Sequence, residues 1–209
     1  MFGTQDLLLF VFSALLLNIT PGPDTLYIVG RSSTQGLKAG VTAALGISAG
    51  IMVHVTAAAL GLSAIFTASA TAFAVLKLAG AAYLVYVGIS LLRARVIGAG
   101  AAAAPERAAL RAVFVQGFWT NVLNPKVALF FLAFLPQFVD LDAPGKVIPL
   151  LFLGLLFNVN GTLWNLFVAW SSARVGRAVL AHGPAATWFN RSVGTLFICL
   201  GVRLALARE

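Results

Sequence analysis

The sequence predicts an all-α membrane protein: six transmembrane helices forming two inverted three-helix repeats, with the first helix of each half broken. Three observations lead there. Apolar residues make up 60% of the chain and charged residues 10%, with a mean hydropathy of +0.97. Charged residues normally supply about a quarter of a soluble domain, so lipid is the better solvent for this chain. The apolar residues also fall into runs of about 20, the length that crosses a bilayer. Two of those runs are interrupted by asparagine, proline and a charge, as NITPGPD at 18–24 and TNVLNPK at 120–126.

The expected spans are 5–30, 39–66, 69–92, 112–139, 146–171 and 187–206. The first has no basic leader and no small-residue cleavage site, and so reads as a retained helix and not a removed signal. In the second, Gly46, Gly50 and His54 recur at four-residue steps. A small-residue face of that kind permits close helix packing. The third is followed by 93–111, which holds four arginines and the run GAGAAAAP. That stretch reads as a linker between a first half, 1–92, and a second half, 112–209. The fourth carries the second break. The fifth places Asn158, Thr162 and Asn165 at i, i+4 and i+7, on one face. Interhelical hydrogen bonding is the ordinary use of such a face, and ligand contact the rarer one. The sixth contains Cys199, the single cysteine, which rules out an intrachain disulfide and joins no metal-ligand cluster. Three helices per half is an odd number, so halves that share a fold must be inverted relative to each other. That build is common in secondary transporters, whose sites lie where discontinuous helices meet at mid-membrane.

A formal charge of +8 would suggest nucleic acid in a soluble chain. Here the bases cluster between apolar segments, so no nucleic-acid partner is read and the positive-inside rule applies. Arg31 and Lys38 fall in the first expected loop, Arg93, Arg95, Arg107 and Arg111 in the third, and Arg174 and Arg177 in the fifth. Those three loops are expected to be cytoplasmic and both termini periplasmic.

Asp24 is the one acid inside the expected spans, away from their ends. An intramembrane carboxylate marks a substrate or proton pathway by default, although a structural N-cap is the plainer alternative. Lys126 is its counterpart, also just after a proline; a lysine snorkelling to the interface is the plain reading there. Proline removes a backbone donor, and in lipid the freed groups must face protein or a polar cavity. The candidate substrate-binding set is therefore Asn18, Pro21, Gly22, Pro23 and Asp24 with Asn121, Asn124, Pro125 and Lys126. His54, Asn158, Thr162 and Asn165 are secondary candidates. Tyr83, Tyr86, Trp119 and Trp164 could shape a cavity, with packing or interfacial anchoring the default for each. No paired-carboxylate, Ser/His/Asp or metal-ligand spacing suggests an enzyme, a metal or a cofactor.

NITPGPDTLYIVGRSSTQGLKAGVTAALGISAG resembles the opening of the LysE/RhtB family of bacterial amino-acid exporters, and GFWTNVLNPKVALFFLAFLPQFV resembles that family's fourth helix. The resemblance runs over nearly the whole chain. It implies an inner-membrane exporter of small amino acids or their derivatives, driven by a proton or membrane-potential gradient. The Asp24–Thr25 step is more similar to the homoserine/threonine branch than to the lysine branch. In the resulting expectation Asp24 meets the substrate ammonium, Lys126 and its half-helix meet the carboxylate, and a proton exchanges at Asp24, giving antiport. Asn18, Asn121 and Asn124 satisfy freed backbone groups and orient the ligand. The alternative is an exporter of a metal or other small cation with the same architecture, which would need more acids or sulfur ligands in the spans. The glycine pairs allow a homodimer but serve packing within one chain equally well.

Overall fold

The computed structural model describes residues 3–62, 107–140 and 145–175, with scattered helical positions between 71 and 93 and between 191 and 206. Apart from those positions, the expected spans 69–92 and 187–206 and most of the linker lie outside the described residues. Those that are described are helical: α1 (Leu7–Ile19), α2 (Pro23–Gln35), α3 (Leu37–Ala57, continued by a π-turn over Ala58–Leu62), α4 (Leu110–Val122), α5 (Pro125–Ala133, followed by a 3-10 turn over Leu135–Phe138) and α6 (Val147–Val175). Two of these helices, Leu37–Leu62 and Val147–Arg174, are long and apolar enough to cross a membrane. The count rises to four if α1 with α2, and α4 with α5, each make one bent span.

The bends measure 53° between α1 and α2 and 49° between α4 and the segment from Pro125 to Phe138. The sequence predicts that both helices are broken, and at each break the structure shows a stop and a restart. α1 closes on Thr20, whose amide and hydroxyl both donate to the Leu16 carbonyl at 3.0 and 2.8 Å. Pro21 follows the stop, and Pro23 opens α2. Pro125 likewise opens α5. A first-turn proline gives up no hydrogen bond, because that N–H has no helical partner, and its fixed φ suits the helix.

α2 outruns the expected end at residue 30 and reaches Gln35. Arg31, expected in a loop, is inside the helix and only 6% exposed. Its guanidinium donates to Gln35 Oε1 at 2.7 Å and to Gln116 Oε1 at 2.6 Å. Tyr27 Oη donates to the Val113 carbonyl at 2.8 Å beside it. A polar tie thus joins α2 to α4, and Arg31 is a packing partner and not a loop charge. Only Gly36 separates α2 from α3, with φ of 84°, a left-handed conformation that favours glycine.

α3 is the central element, packed on α2, α4 and α6. Its face of Gly46 and Gly50 meets α4 so closely that a Cβ on Gly50 would lie 2.8 Å from both Asn121 Cβ and the Phe118 carbonyl. α4 answers with Gly117, where a Cβ would lie 2.8 Å from the Ala43 carbonyl. Lipid offers no hydrophobic drive for helix pairing, so this backbone approach and the dispersion it brings hold α3 to α4. On the other side, Phe130, Phe134 and Phe138 stack with Phe10 of α1 and Phe157 of α6, with neighbouring ring centroids 4.7–5.2 Å apart across Phe130–Phe134, Phe130–Phe157, Phe134–Phe138 and Phe10–Phe138. Residues 3–5 add a short antiparallel pairing to 138–140, with Gln5 N donating to Phe138 O and Asp140 N to Gly3 O, each at 2.9 Å.

Filling the glycine notch should be costly. Gly50→Val is expected to lose about 1–3 kcal/mol of stability, read as a lower unfolding temperature in detergent. Gly145→Ala, where an added Cβ meets nothing within 4 Å among the described residues, should leave the unfolding temperature unchanged.

Candidate functional site

The two breaks lie against each other, and each supplies what the other lacks. α1 ends with carbonyl groups that no further turn can bond. Lys126, the second residue of α5, reaches across and donates from Nζ to the carbonyls of Leu17 and Thr20, both at 2.8 Å. In the opposite direction, Asn121 near the end of α4 donates from Nδ2 to Asp24 Oδ2 in the first turn of α2, at 2.8 Å. Asn121 is fully buried, and His54 of α3 fixes its backbone through a 3.1 Å bond from Nε2 to the Asn121 carbonyl. A carbonyl only accepts, so Nε2 carries the proton. Asn124 caps its own helix: Oδ1 accepts from the Lys126 amide at 3.0 Å.

Asp24 is therefore not an N-cap. Gly22 holds that position, and the carboxylate makes no capping bond. Its Oδ1 has no hydrogen-bond partner among the described residues, and neither have Asn121 Oδ1 nor Asn18 Nδ2, all three buried. The Lys126 ammonium is bonded to carbonyls and not to Asp24, although the two charges are close enough to interact. A cavity of about 20 Å³ sits here, lined by Asn18, Gly22, Asp24, Asn121, Asn124, Lys126 and Asn165 among others. That is room for about one water. An amino acid could enter only if the half-helices moved apart.

Seven of the thirteen residues expected from sequence line this cavity: Asn18, Gly22, Asp24, Asn121, Asn124, Lys126 and Asn165. Pro21, Pro23 and Pro125 shape the breaks without lining it, and His54 stands behind Asn121 with its ring stacked on Phe131. Asn158 and Thr162 are used elsewhere. Asn158 and Ser48 exchange hydrogen bonds of 3.0 and 3.3 Å, and Thr162 donates to Asn158 Oδ1 at 3.3 Å, tying α6 to α3. Asn18 was expected to satisfy freed backbone; Lys126 does so instead, because Asn18 faces α6, where a Cβ on Gly161 would lie 2.9 Å from its Oδ1. Trp119 and Tyr86 are exposed, and Tyr83 lies outside the described residues. Sequence reading missed the apolar wall of Leu17, Ile47, Ile51, Val127 and Phe157, and also Thr25. Aliphatic residues are everywhere in a membrane helix, so nothing marked these. The tie of Tyr27, Arg31 and Gln116 was missed because its partners are far apart in sequence.

The fold is that of a helical membrane protein with an acid and a base, both half-buried, between two broken helices. The profile of the LysE type translocator family matches residues 15–208. An uncharacterised membrane protein of Pseudomonas aeruginosa is 32% identical over 98% of this chain and 97% of its own length. The leucine efflux proteins of Salmonella choleraesuis and Salmonella typhimurium are each 27% identical over 98% of this chain and 96% of theirs. No solved structure matches. The chain belongs to the LysE type translocator family, which is one of transporters and not of enzymes.

Removing the cap isolates its contribution. Asn124→Ala should cost about 1 kcal/mol of stability and Asn124→Ser should restore most of it, measured by thermal unfolding of the purified protein.

Proposed function

We propose that this protein exports small amino acids across the bacterial inner membrane by exchange with protons. One observation carries the reading. In a chain of a translocator family, an acid and a base from the starts of two half-helices line one cavity. An amino acid is a zwitterion, so it needs a group of each sign at a short separation. Asp24 and the free Asn121 Oδ1 suit the ammonium. Lys126, which has three donors and uses two, suits the carboxylate. Helix N-termini favour an anion as well. The wall of Ile47, Ile51 and Phe157 suits an aliphatic side chain, in keeping with the leucine efflux relatives. Asp24 is the group through which a proton would be exchanged for substrate. The cation-export alternative has no support here: no group of three or more His, Cys, Asp or Glu that could hold a metal occurs among the described residues.

The same reading keeps the two-half plan, 1–92 and 112–209 joined by 93–111, with inverted three-helix repeats and both termini periplasmic. The paired stops at Thr20 and Asn124 support it, since each opens a new helix with proline and a charge in its first turn.

Counterflow in proteoliposomes with a panel of labelled amino acids, with and without an imposed pH gradient, tests the reading. Leucine or a similar aliphatic amino acid should exchange, and a gradient should drive its accumulation. Asp24→Asn and Lys126→Ala should each lower transport by on the order of tenfold or more, about 1.4 kcal/mol or above, while still inserting. Undiminished transport in both variants refutes the site.

A further inference from the structure

We infer that Lys126 makes the transporter specific for substrates bearing a free carboxylate, because it is a latch that such a carboxylate opens. This deepens the exporter reading of the same site and rests on it. The cavity holds about one water, so it must widen to admit any amino acid. The widening has to separate the end of α1 from the start of α5, which the bonds from Lys126 Nζ to Leu17 O and Thr20 O hold together. Loading and unlatching are therefore one event.

The partner that breaks the latch must outbid two neutral carbonyls for an ammonium. A carboxylate does so, since it adds to the hydrogen bond the attraction of a full opposite charge, which is strong away from bulk water. The Asp24 carboxylate does not take that role in the resting protein: Oδ2 accepts from Asn121, and Lys126 Nζ is bonded to the two carbonyls and not to Oδ1. The other groups around Lys126 are neutral: Asn124 caps its amide, and Asn165 and Phe157 come from α6. His54 of α3 is turned to the Asn121 carbonyl. A substrate carboxylate is thus the natural competitor. A ligand with an ammonium but no carboxylate has nothing to draw Lys126 from the two carbonyls, so the latch stays shut and the cavity stays closed to it. It should be neither bound nor carried. A ligand shifts a conformational equilibrium only by its differential affinity for the two states, and the carboxylate supplies that difference.

Leucine and leucinamide share a side chain and an ammonium and differ at the carboxylate. In proteoliposomes, with protein-free vesicles as control, leucinamide should neither trans-stimulate leucine counterflow nor inhibit it at concentrations where unlabelled leucine does both. Lys126→Met should shrink the preference for leucine over leucinamide in trans-stimulation by on the order of tenfold, whatever its absolute rate. A merely structural lysine would lower both rates and leave the ratio alone. Should Lys126→Met not fold, Thr20→Cys in a Cys199→Ser background provides the second reading. Its labelling by a membrane-impermeant maleimide should rise severalfold with leucine and not with leucinamide. Equal trans-stimulation by the two ligands, an unchanged ratio in Lys126→Met, or equal labelling overturns the latch. Absence of counterflow with every amino acid in the panel would instead overturn the exporter reading, and the labelling comparison would still decide the latch.

Discussion

The two broken helices are held together by bonds that cross between them. Lys126 takes the carbonyls that α1 leaves open, and Asn121 takes the carboxylate in the first turn of α2. In water those groups would be solvated singly. In a membrane each unsatisfied backbone group costs several kcal/mol, so the open end of α1 must have a partner within the protein. Lys126 is that partner, and the side-chain bond from Asn121 to Asp24 ties the second break to the first. These cross-bonds also fix where the breaks lie, since groups bonded across them have to meet. The cavity, the closeness of the acid and the base, and the burial of Asn121 follow from that requirement.

The cross-bonds depend on closely packed backbones elsewhere. Asn121 reaches Asp24 because α4 sits in the notch of Gly46 and Gly50, with Gly117 facing the other way. The phenylalanines of α5 and its 3-10 turn anchor the opposite flank to α1 and α6. Two polar ties lie beyond the cavity in different parts of the fold: Tyr27 and Arg31 with Gln116, and residues 3–5 with 138–140. A cavity sized for one water between such ties is what an occluded arrangement requires. Movement of the half-helices must then exchange hydrogen bonds and not merely lose them, since a bare carbonyl at this depth is prohibitive.

Much of this was legible in the chain. Lipid as solvent followed from the hydropathy, and both breaks followed from asparagine, proline and a charge inside apolar runs. The family was legible in two contiguous stretches, and the glycine face of α3 in its four-residue spacing. Other features were not. Lys126 takes the role expected of Asn18, because an amide one turn from the break and a lysine more than a hundred residues away compete for the same carbonyls. Only distance decides between them. Arg31 read as a loop charge because polar residues usually end a span; Gln35 and Gln116 keep it buried in the helix. The apolar wall carried no signal at all, since Ile47 and Phe157 look like any lipid-facing residue.

By itself the sequence determined that the chain lives in a bilayer, where its helices must stop, and that one acid and one base stand just past the stops. Hydrophobic run length, proline chemistry and the cost of intramembrane charge are local properties, so they can be read in order along the chain. The tertiary structure decided which group satisfies which. It set Lys126 on the α1 carbonyls, Asn121 on Asp24, and left Asp24 Oδ1, Asn121 Oδ1 and Asn18 Nδ2 without partners among the described residues, around one small cavity. Hydrogen bonds between distant residues depend on ångström-scale separations, and those are fixed only when the helices pack.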